Sequence, residues 1–224
     1  MGAWRENGAS GRVCSGVSDH VPVLPYRVEL QRKAIHLGAL VLPAAILVLP
    51  TPLARGLLTA LAAAAVGLDV ARQRVPAVHR VLDRVFGWMM RPEEQPIFGG
   101  PIVFNGAVWM CLSAAACVWA FPPGVGAAAL AMLMVGDGAA AVVGRRFGAH
   151  KWPGSPKSVE GSAAYVVAAV ATGLAVVAWP GSGLTLAACA LGALVGAAVE
   201  ALPIPVNDNF RVPLLTGLAM WPLV

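Results

Sequence analysis

Seven apolar runs dominate this chain of 224 residues: 34–50, 53–71, 101–121, 124–143, 161–179, 183–202 and 212–224. A bilayer's hydrocarbon core is about 30 Å thick and takes roughly 20 apolar residues of helix to cross. Six runs lie near that length, and the seventh is short. The runs are continuous rather than alternating, so they read as helices and not as barrel strands. Charge confirms the solvent: 12% of residues are charged, against about 25% in a soluble domain. That excludes a disordered chain, a disulfide scaffold and an ordinary cytosolic enzyme. The expected fold is an all-α, polytopic integral membrane bundle of about seven transmembrane helices.

The basic residues give the bundle an orientation. Lys and Arg concentrate in cytoplasmic connections. If the seven runs alternate, 15 of the 16 basic residues share one side, and only Arg55 lies opposite. The N-terminus is then cytoplasmic, and residues 1–25 lack the apolar core of a secretory leader. Asp69, Asp137 and Glu200 fall in the halves of their runs nearest that same side, while Glu160 and Asp208 fall in its connections. The opposite connections (Thr51-Pro52, Pro122-Pro123, Pro180-Gly181-Ser182) carry no charge. All usable chemistry therefore gathers at one face. A transporter would also line a path through the midplane. The expected location is a bacterial inner (cytoplasmic) membrane with the polar site facing the cytoplasm. The net charge of +5 is explained by topology and calls for no nucleic acid.

Residues 1–25 read as a flexible tail and 26–224 as a single membrane-embedded domain. Within it, 72–100 reads as an amphipathic cytoplasmic segment. Val75, Val78, Leu82, Val85 and Met89 recur at helical spacing there, followed by the Pro/Gly loop RPEEQPIFGG. Cys14, Cys111, Cys117 and Cys189 show no metal or disulfide spacing and read as small hydrophobes. Gly192 and Gly196 form a GxxxG suited to helix packing. A homodimer stays open.

Three strings carry chemistry. The first is VGDGAAAVVGRRFGAHKWPGSPKSVEGS, residues 135–162. Asp137 lies about 9–10 Å inside the end of its run, at 1.5 Å per residue. A carboxylate at that depth needs a partner or a purpose. Small flanking residues allow close approach of a helix or a ligand. Glycines turn backbone N–H groups toward anions. Arg145, Arg146 and Lys157 suit phosphate, and Ser158 at a helix start suits a cap or a phosphate. Glu160 falls in the first turn, where the dipole favours it. Magnesium and a polyphosphate fit that set; the plain alternative is a basic loop beside one packed, protonated Asp. The second string, VEALPIPVNDNFRVP, offers Glu200, Asn207, Asp208 and Asn209 as oxygen and amide ligands, or as an Asx-rich turn. The third, ELQRKAIH, offers Arg32, Lys33 and His36, with Glu29–Lys33 and Arg32–His36 at i,i+4, or simply a snorkelling helix start.

Together these strings resemble the CTP-dependent lipid kinases: dolichol kinase, phytol kinase and the CTP-dependent diacylglycerol kinase. The resemblance covers 29–215 and rests on E-L-x-R-K-x-x-H, G-D-G-x-A-x-x-x-G-R-R-F-G, K-S-V-E-G-S and E-A-L-P-x-P-x-N-D-N in that order. It implies transfer of the γ-phosphoryl of CTP to the hydroxyl of a lipid alcohol, with magnesium. By that resemblance Asp137, Asp208 and Glu200 are metal carboxylates. Arg145, Arg146, Lys157 and Ser158 hold the triphosphate. Glu160 orients Lys157 or completes the metal shell. Asn207 and Asn209 meet cytosine or phosphate. Arg32, Lys33 and His36 close the site, and either His36 or Asp137 is the base. The expected partners are the bilayer, the lipid alcohol and a nucleoside triphosphate. The related phosphatidate cytidylyltransferases share the Lys157-Ser158-x-Glu160-Gly161 string but normally add a C-terminal Gly-His-Gly-Gly-x-x-Asp-Arg block that is not found here. A CDP-lipid synthase is one alternative, and a non-catalytic transporter or scaffold is another.

Overall fold

The computed structural model describes residues 26–90, 94, 95 and 98–224. The expected flexible tail, residues 1–25, lies outside the described residues, as do parts of the 91–100 loop and the side chain of Glu29. Helices α1 (Tyr26–Gly38), α2 (Val41–Val48), α3 (Thr51–Arg74), α4 (Pro76–Phe86), α5 (Gly106–Ala120), α6 (Pro123–Phe147), α7 (Val159–Val177), α8 (Leu186–Ala201) and α9 (Asp208–Met220) follow one another, and no strand forms among the described residues.

Proline sets most of the breaks. Pro43 has no N–H and its ring collides with the carbonyl four residues back, so the first apolar run splits into α1 and α2. Val75 precedes Pro76 and turns extended, ending α3. Pro122 and Pro123 separate α5 from α6. Polar caps start the others. Asn105 accepts from the N–H groups of Ala107 and Val108 at the start of α5, Ser158 accepts from Gly161 at α7, and Thr185 accepts from Ala188 at α8.

Every expected run contains a helix, but the count of seven spans is not reproduced. Four segments are long and apolar enough to cross a membrane: Gln31–Val48, Thr51–Arg74, Pro123–Phe147 and Val159–Val177. The apolar helices α5 and α8 are shorter, and α9 has only 13 residues. Caps and prolines clip them below the roughly 20 residues a full crossing takes. Among the described residues the chain is therefore an all-helical membrane protein with four candidate spanning segments by length and composition.

Helix α6 is the axis. Its residues Val125 to Met134 are almost all fully buried, and α7, α2, α9, α5 and α8 pack around it. Small residues bring the helices close. A Cβ on Gly136 would meet the Tyr165 ring at 2.8 Å, and one on Gly192 would strike Met220 of α9. Gly196 faces Tyr165 and Thr216 in the same way, so the GxxxG packs helices within this chain. Cys117 and Cys189 are buried, unpaired core residues. Helix α4 buries none of its described residues, as an interfacial amphipathic segment would.

Candidate active site

The second half of α1, the end of α6, the start of α7, the end of α8 and the start of α9 line one polar cavity of about 290 Å³. Arg32, Lys33, His36, Asp137, Arg145, Lys157, Ser158, Glu200, Asn207, Asp208 and Asn209 line it. Helix α6 runs four residues beyond the apolar run 124–143, so Asp137 lies ten residues before its end at Phe147. That is about 15 Å along the axis from the helix end, because the helix continues past the apolar run through the exposed Arg145, Arg146 and Phe147. Its side chain is 13% exposed and pairs with Lys33. His36 Nε2 stands 4.0 Å from the same carboxylate oxygen and is enclosed without a hydrogen-bond partner among the described residues.

A second pair forms across the cavity. Lys157 bonds Glu200, whose side chain is 2% exposed, and lies 3.6 Å from Asp208. Burial works against the charged form of Lys157, but the carboxylates of Glu200, Asp137 and Asp208 outweigh it and hold the ammonium above its ordinary value. Arg211, almost fully buried, accounts for Asp208: Nε donates to Oδ1 at 2.9 Å, and Nη2 donates to the Leu202 carbonyl at 2.8 Å. Each of the three carboxylates therefore has a cationic partner, as burial demands. Among the described residues no group of three His, Cys, Asp or Glu is spaced to hold a metal ion alone.

The loop from 148 to 158 carries Lys157 inward by folding back on itself. Trp152 N–H donates to the Lys157 carbonyl at 3.1 Å, and Val159 N–H donates to the His150 carbonyl at 2.9 Å. Trp152 Nε1 then donates to Ser162 Oγ at 3.0 Å, fixing the loop to α7.

Two expected site residues stand elsewhere. Arg146 is exposed and lies over the ring of Phe147 at 5.5 Å. Glu160 accepts from the His150 backbone at 3.2 Å and meets its Nδ1 at 2.7 Å; neither Glu160 nor Arg146 lines the cavity. The first-turn carboxylate braces the loop instead of reaching Lys157. Of the two sequence readings of the glycines, close helix approach and anion cradling, the first describes those in α6. Gly136, Gly138 and Gly144 lie inside α6, where their N–H groups belong to the helix ladder. A Cβ on Gly144 would reach Ser158 Oγ at 3.0 Å, and one on Gly161 would reach the Ala140 carbonyl at 3.0 Å. These positions seat α7 against α6 rather than cradle an anion. Asn207 caps α9 by accepting from Asn209 N–H at 3.0 Å, and Asn209 Nδ2 donates to the Gly106 carbonyl at 3.0 Å. The Asx-turn reading and the cavity-lining reading are both true of them.

Glu94, 3.7 Å from Arg32, and Lys151 also line the cavity. Lys151 belongs to the basic loop of the first string, whereas Glu94 has no sequence reading as a site residue, although the EE pair at 93–94 is visible. A further polar cluster lies beside the site. Asp69 accepts from Arg72 Nε at 2.7 Å, Asn105 Nδ2 at 3.0 Å and Asn105 N–H at 3.2 Å. Gln73 bridges to Val103 in both directions, donating at 3.0 Å and accepting at 2.9 Å. With every Asp69 bond internal, the cluster ties α3 to the start of α5.

Known proteins give a consistent picture. The chain is 34% identical over 142 residues to phytol kinase 1, chloroplastic, of Arabidopsis thaliana, covering 58% of this chain and 45% of that protein. It is 34% identical over 145 residues to a probable phytol kinase 1, chloroplastic, of Oryza sativa subsp. japonica, covering 58% and 43%. It is 26% identical over 188 residues to an uncharacterized protein of Rickettsia prowazekii, covering 83% of this chain and 90% of that protein. The chain thus spans less than half the length of the two plant proteins it matches. No family model matches it, and no solved structure does. What is shown is a helical membrane protein similar, over more than half its length, to phytol kinases.

Proposed function

We propose that this protein is a lipid kinase that transfers the γ-phosphoryl group of CTP to the hydroxyl of a lipid alcohol at the cytoplasmic side of its membrane. One observation carries the reading: four strings spread from residue 29 to residue 209 line a single polar cavity, where five cations (Arg32, Lys33, Arg145, Lys151, Lys157) face four carboxylates (Glu94, Asp137, Glu200, Asp208). Phosphoryl transfer needs little covalent help from a protein and depends on positioning and charge neutralisation. A set of both signs, with Glu200 buried and Arg145 and Lys151 reaching solvent, suits a metal-bound polyphosphate. The similarity to phytol kinases supports the kinase class; the choice of CTP rests on the resemblance of the strings.

Magnesium binds through one or two carboxylates plus substrate phosphates and keeps several waters, so a dedicated cage is not required. Asp137 would hold it, with Asp208 and Glu200 as further carboxylates, and it would neutralise charge on the transferring group. Lys33, Lys157, Arg145 and Arg32 bind the phosphates, exchanging internal carboxylate partners for nucleotide oxygens. Asn207 and Asn209 meet the base or a phosphate. The alcohol oxygen attacks the γ-phosphorus, the β–γ bridging bond breaks, and CDP leaves. The hydroxyl proton passes to His36 Nε2, which has no hydrogen-bond partner among the described residues, whereas Asp137 is assigned to the metal.

The test is turnover by the purified protein in vesicles holding a panel of lipid alcohols, with CTP compared against ATP. Phosphorylated alcohol and CDP in equal amounts support the reading. Nucleotide that survives unchanged with every alcohol overturns it.

A further inference from the structure

A second cavity, of about 360 Å³, adjoins the first between α1, α3, α4 and α5. The two share Arg32, His36, Glu94 and Asn209. Beyond that junction its lining is mainly apolar, with Ala39, Leu42, Ala65, Leu82, Met110 and Cys111 among the walls. The charged pair in its wall offers nothing to a ligand: Asp69 is fully bonded, and Arg72 donates to Asp69, to Met90 Sδ at 3.1 Å and to the Glu94 carbonyl at 3.4 Å. Of this cavity's lining, the enclosed side-chain atoms without a hydrogen-bond partner among the described residues, His36 Nε2 and Arg32 Nη1, lie at the junction. At its rim Ile35, Leu68 and Phe86, on three different helices, are 53%, 53% and 43% exposed.

We infer that this cavity holds the hydrocarbon chain of the acceptor, an alcohol with a single chain, entering sideways from the bilayer between α1, α3 and α4. The inference rests on the lipid kinase reading and deepens it. Continuity with the polar cavity decides the orientation: the hydroxyl stops at His36, and the chain lies back among apolar side chains. Size decides the number of chains, because a volume of about 360 Å³ is near the low end of ligand cavities, about 300–1,000 Å³, and suits one chain better than two. Lipid tails are as apolar as the cavity walls, so the chain gains little by leaving the bilayer. Its selectivity comes from shape. A lateral path between the small-residue helices of the core is not needed, since α6 through α9 are packed shut around Tyr165.

Two measurements on the full chain in vesicles test this. A long-chain alcohol bearing a photoreactive diazirine is cross-linked without nucleotide, and the adducts are mapped. Adducts on residues 35–42, 65–68 and 107–111, displaced by a single-chain alcohol and not by diacylglycerol, are expected. Adducts on the outward faces of α7 and α8, or displacement by diacylglycerol as readily as by the single-chain alcohol, overturn the inference. Second, Ala65→Trp fills the cavity. It should raise KM for a long-chain alcohol at least tenfold and leave turnover of a short, soluble alcohol and the KM for nucleotide unchanged. An unchanged long-chain KM overturns the inference. The arms separate the two claims. Displaceable cross-linking in the cavity with no phosphoryl transfer to any alcohol sinks the kinase reading alone. Transfer with adducts elsewhere sinks the cavity alone.

Discussion

Replacing Lys157 with Met removes the ammonium facing Glu200 and keeps most of the side chain's stem. Glu200 is 2% exposed, so its charge is left with little solvent, and Lys157 is 32% exposed, so water reaches part of the lost place. Removing one partner of a buried pair costs about 3–5 kcal/mol, and the exposure of Lys157 puts Lys157→Met near the lower end, at about 3 kcal/mol. Glu200→Gln is milder, because the ammonium keeps Asp208 at 3.6 Å and some solvent. A lost charge-assisted hydrogen bond there costs about 1.5 kcal/mol. If the pair is the whole structural role, the double variant also loses about 1.5 kcal/mol instead of the additive 4.5 or so, a coupling of about 3 kcal/mol. Denaturant unfolding in mild detergent, followed by tryptophan fluorescence, reads these values. Function separates in the same samples. CTP at a hundred times its Kd should stabilise the wild type by about 2.7 kcal/mol, and the refolded double variant by well under half of that. Additive losses would refute the pairing. A double variant with wild-type stabilisation by CTP would remove Lys157 from the phosphate site.

Asp137→Asn should lower turnover by about 10²–10³-fold or more while the protein still inserts and folds; near-wild-type turnover would sink its assignment. Asp69→Asn leaves Arg72, 1% exposed, without a countercharge and should cost about 3 kcal/mol of stability, with an unchanged nucleotide Kd in the folded fraction; a changed Kd would place the cluster in the site. The raised value of Lys157 fixes the sign of a pH effect. Its contribution is fully present below the ordinary lysine value, about 10.4, and is lost as pH rises through the folded value. The stability gap between wild type and Lys157→Met should therefore narrow as pH rises beyond about 10.4. A gap that stays constant as pH rises well past that value would contradict the pairing.

Each apolar run contains a helix because lipid leaves the backbone no partner outside its own segment, whereas α4, Pro76–Phe86, lies between runs and was legible only from its amphipathic spacing. The runs did not give the spanning number, since caps such as Asn105 and Thr185 and the Pro122-Pro123 break shorten helices inside runs that remain apolar. Site residues were legible as strings because charge is scarce here, so each cluster stands out. Their pairings were not. Lys33 meets Asp137 across 104 residues, and Lys157 meets Glu200 across 43. Glu160 was read from its neighbours in sequence, yet the turn at 148–158 hands it to His150. The glycine string carried two meanings, anion cradle and close packing, and only the seating of Ser158 and Tyr165 on α6 separates them. The Asp69–Asn105 tie joins residues 36 apart and had no local signature.

The central claim is transfer of the terminal phosphoryl group, and the position of the label decides it. Purified protein in vesicles with a single-chain lipid alcohol receives CTP labelled at the α or at the γ phosphorus, and the extracted lipid is counted. The account predicts γ-label on the lipid, with α-label left in soluble CDP. An α-labelled lipid would mean nucleotidyl transfer, and either that result or an unlabelled lipid would contradict the account.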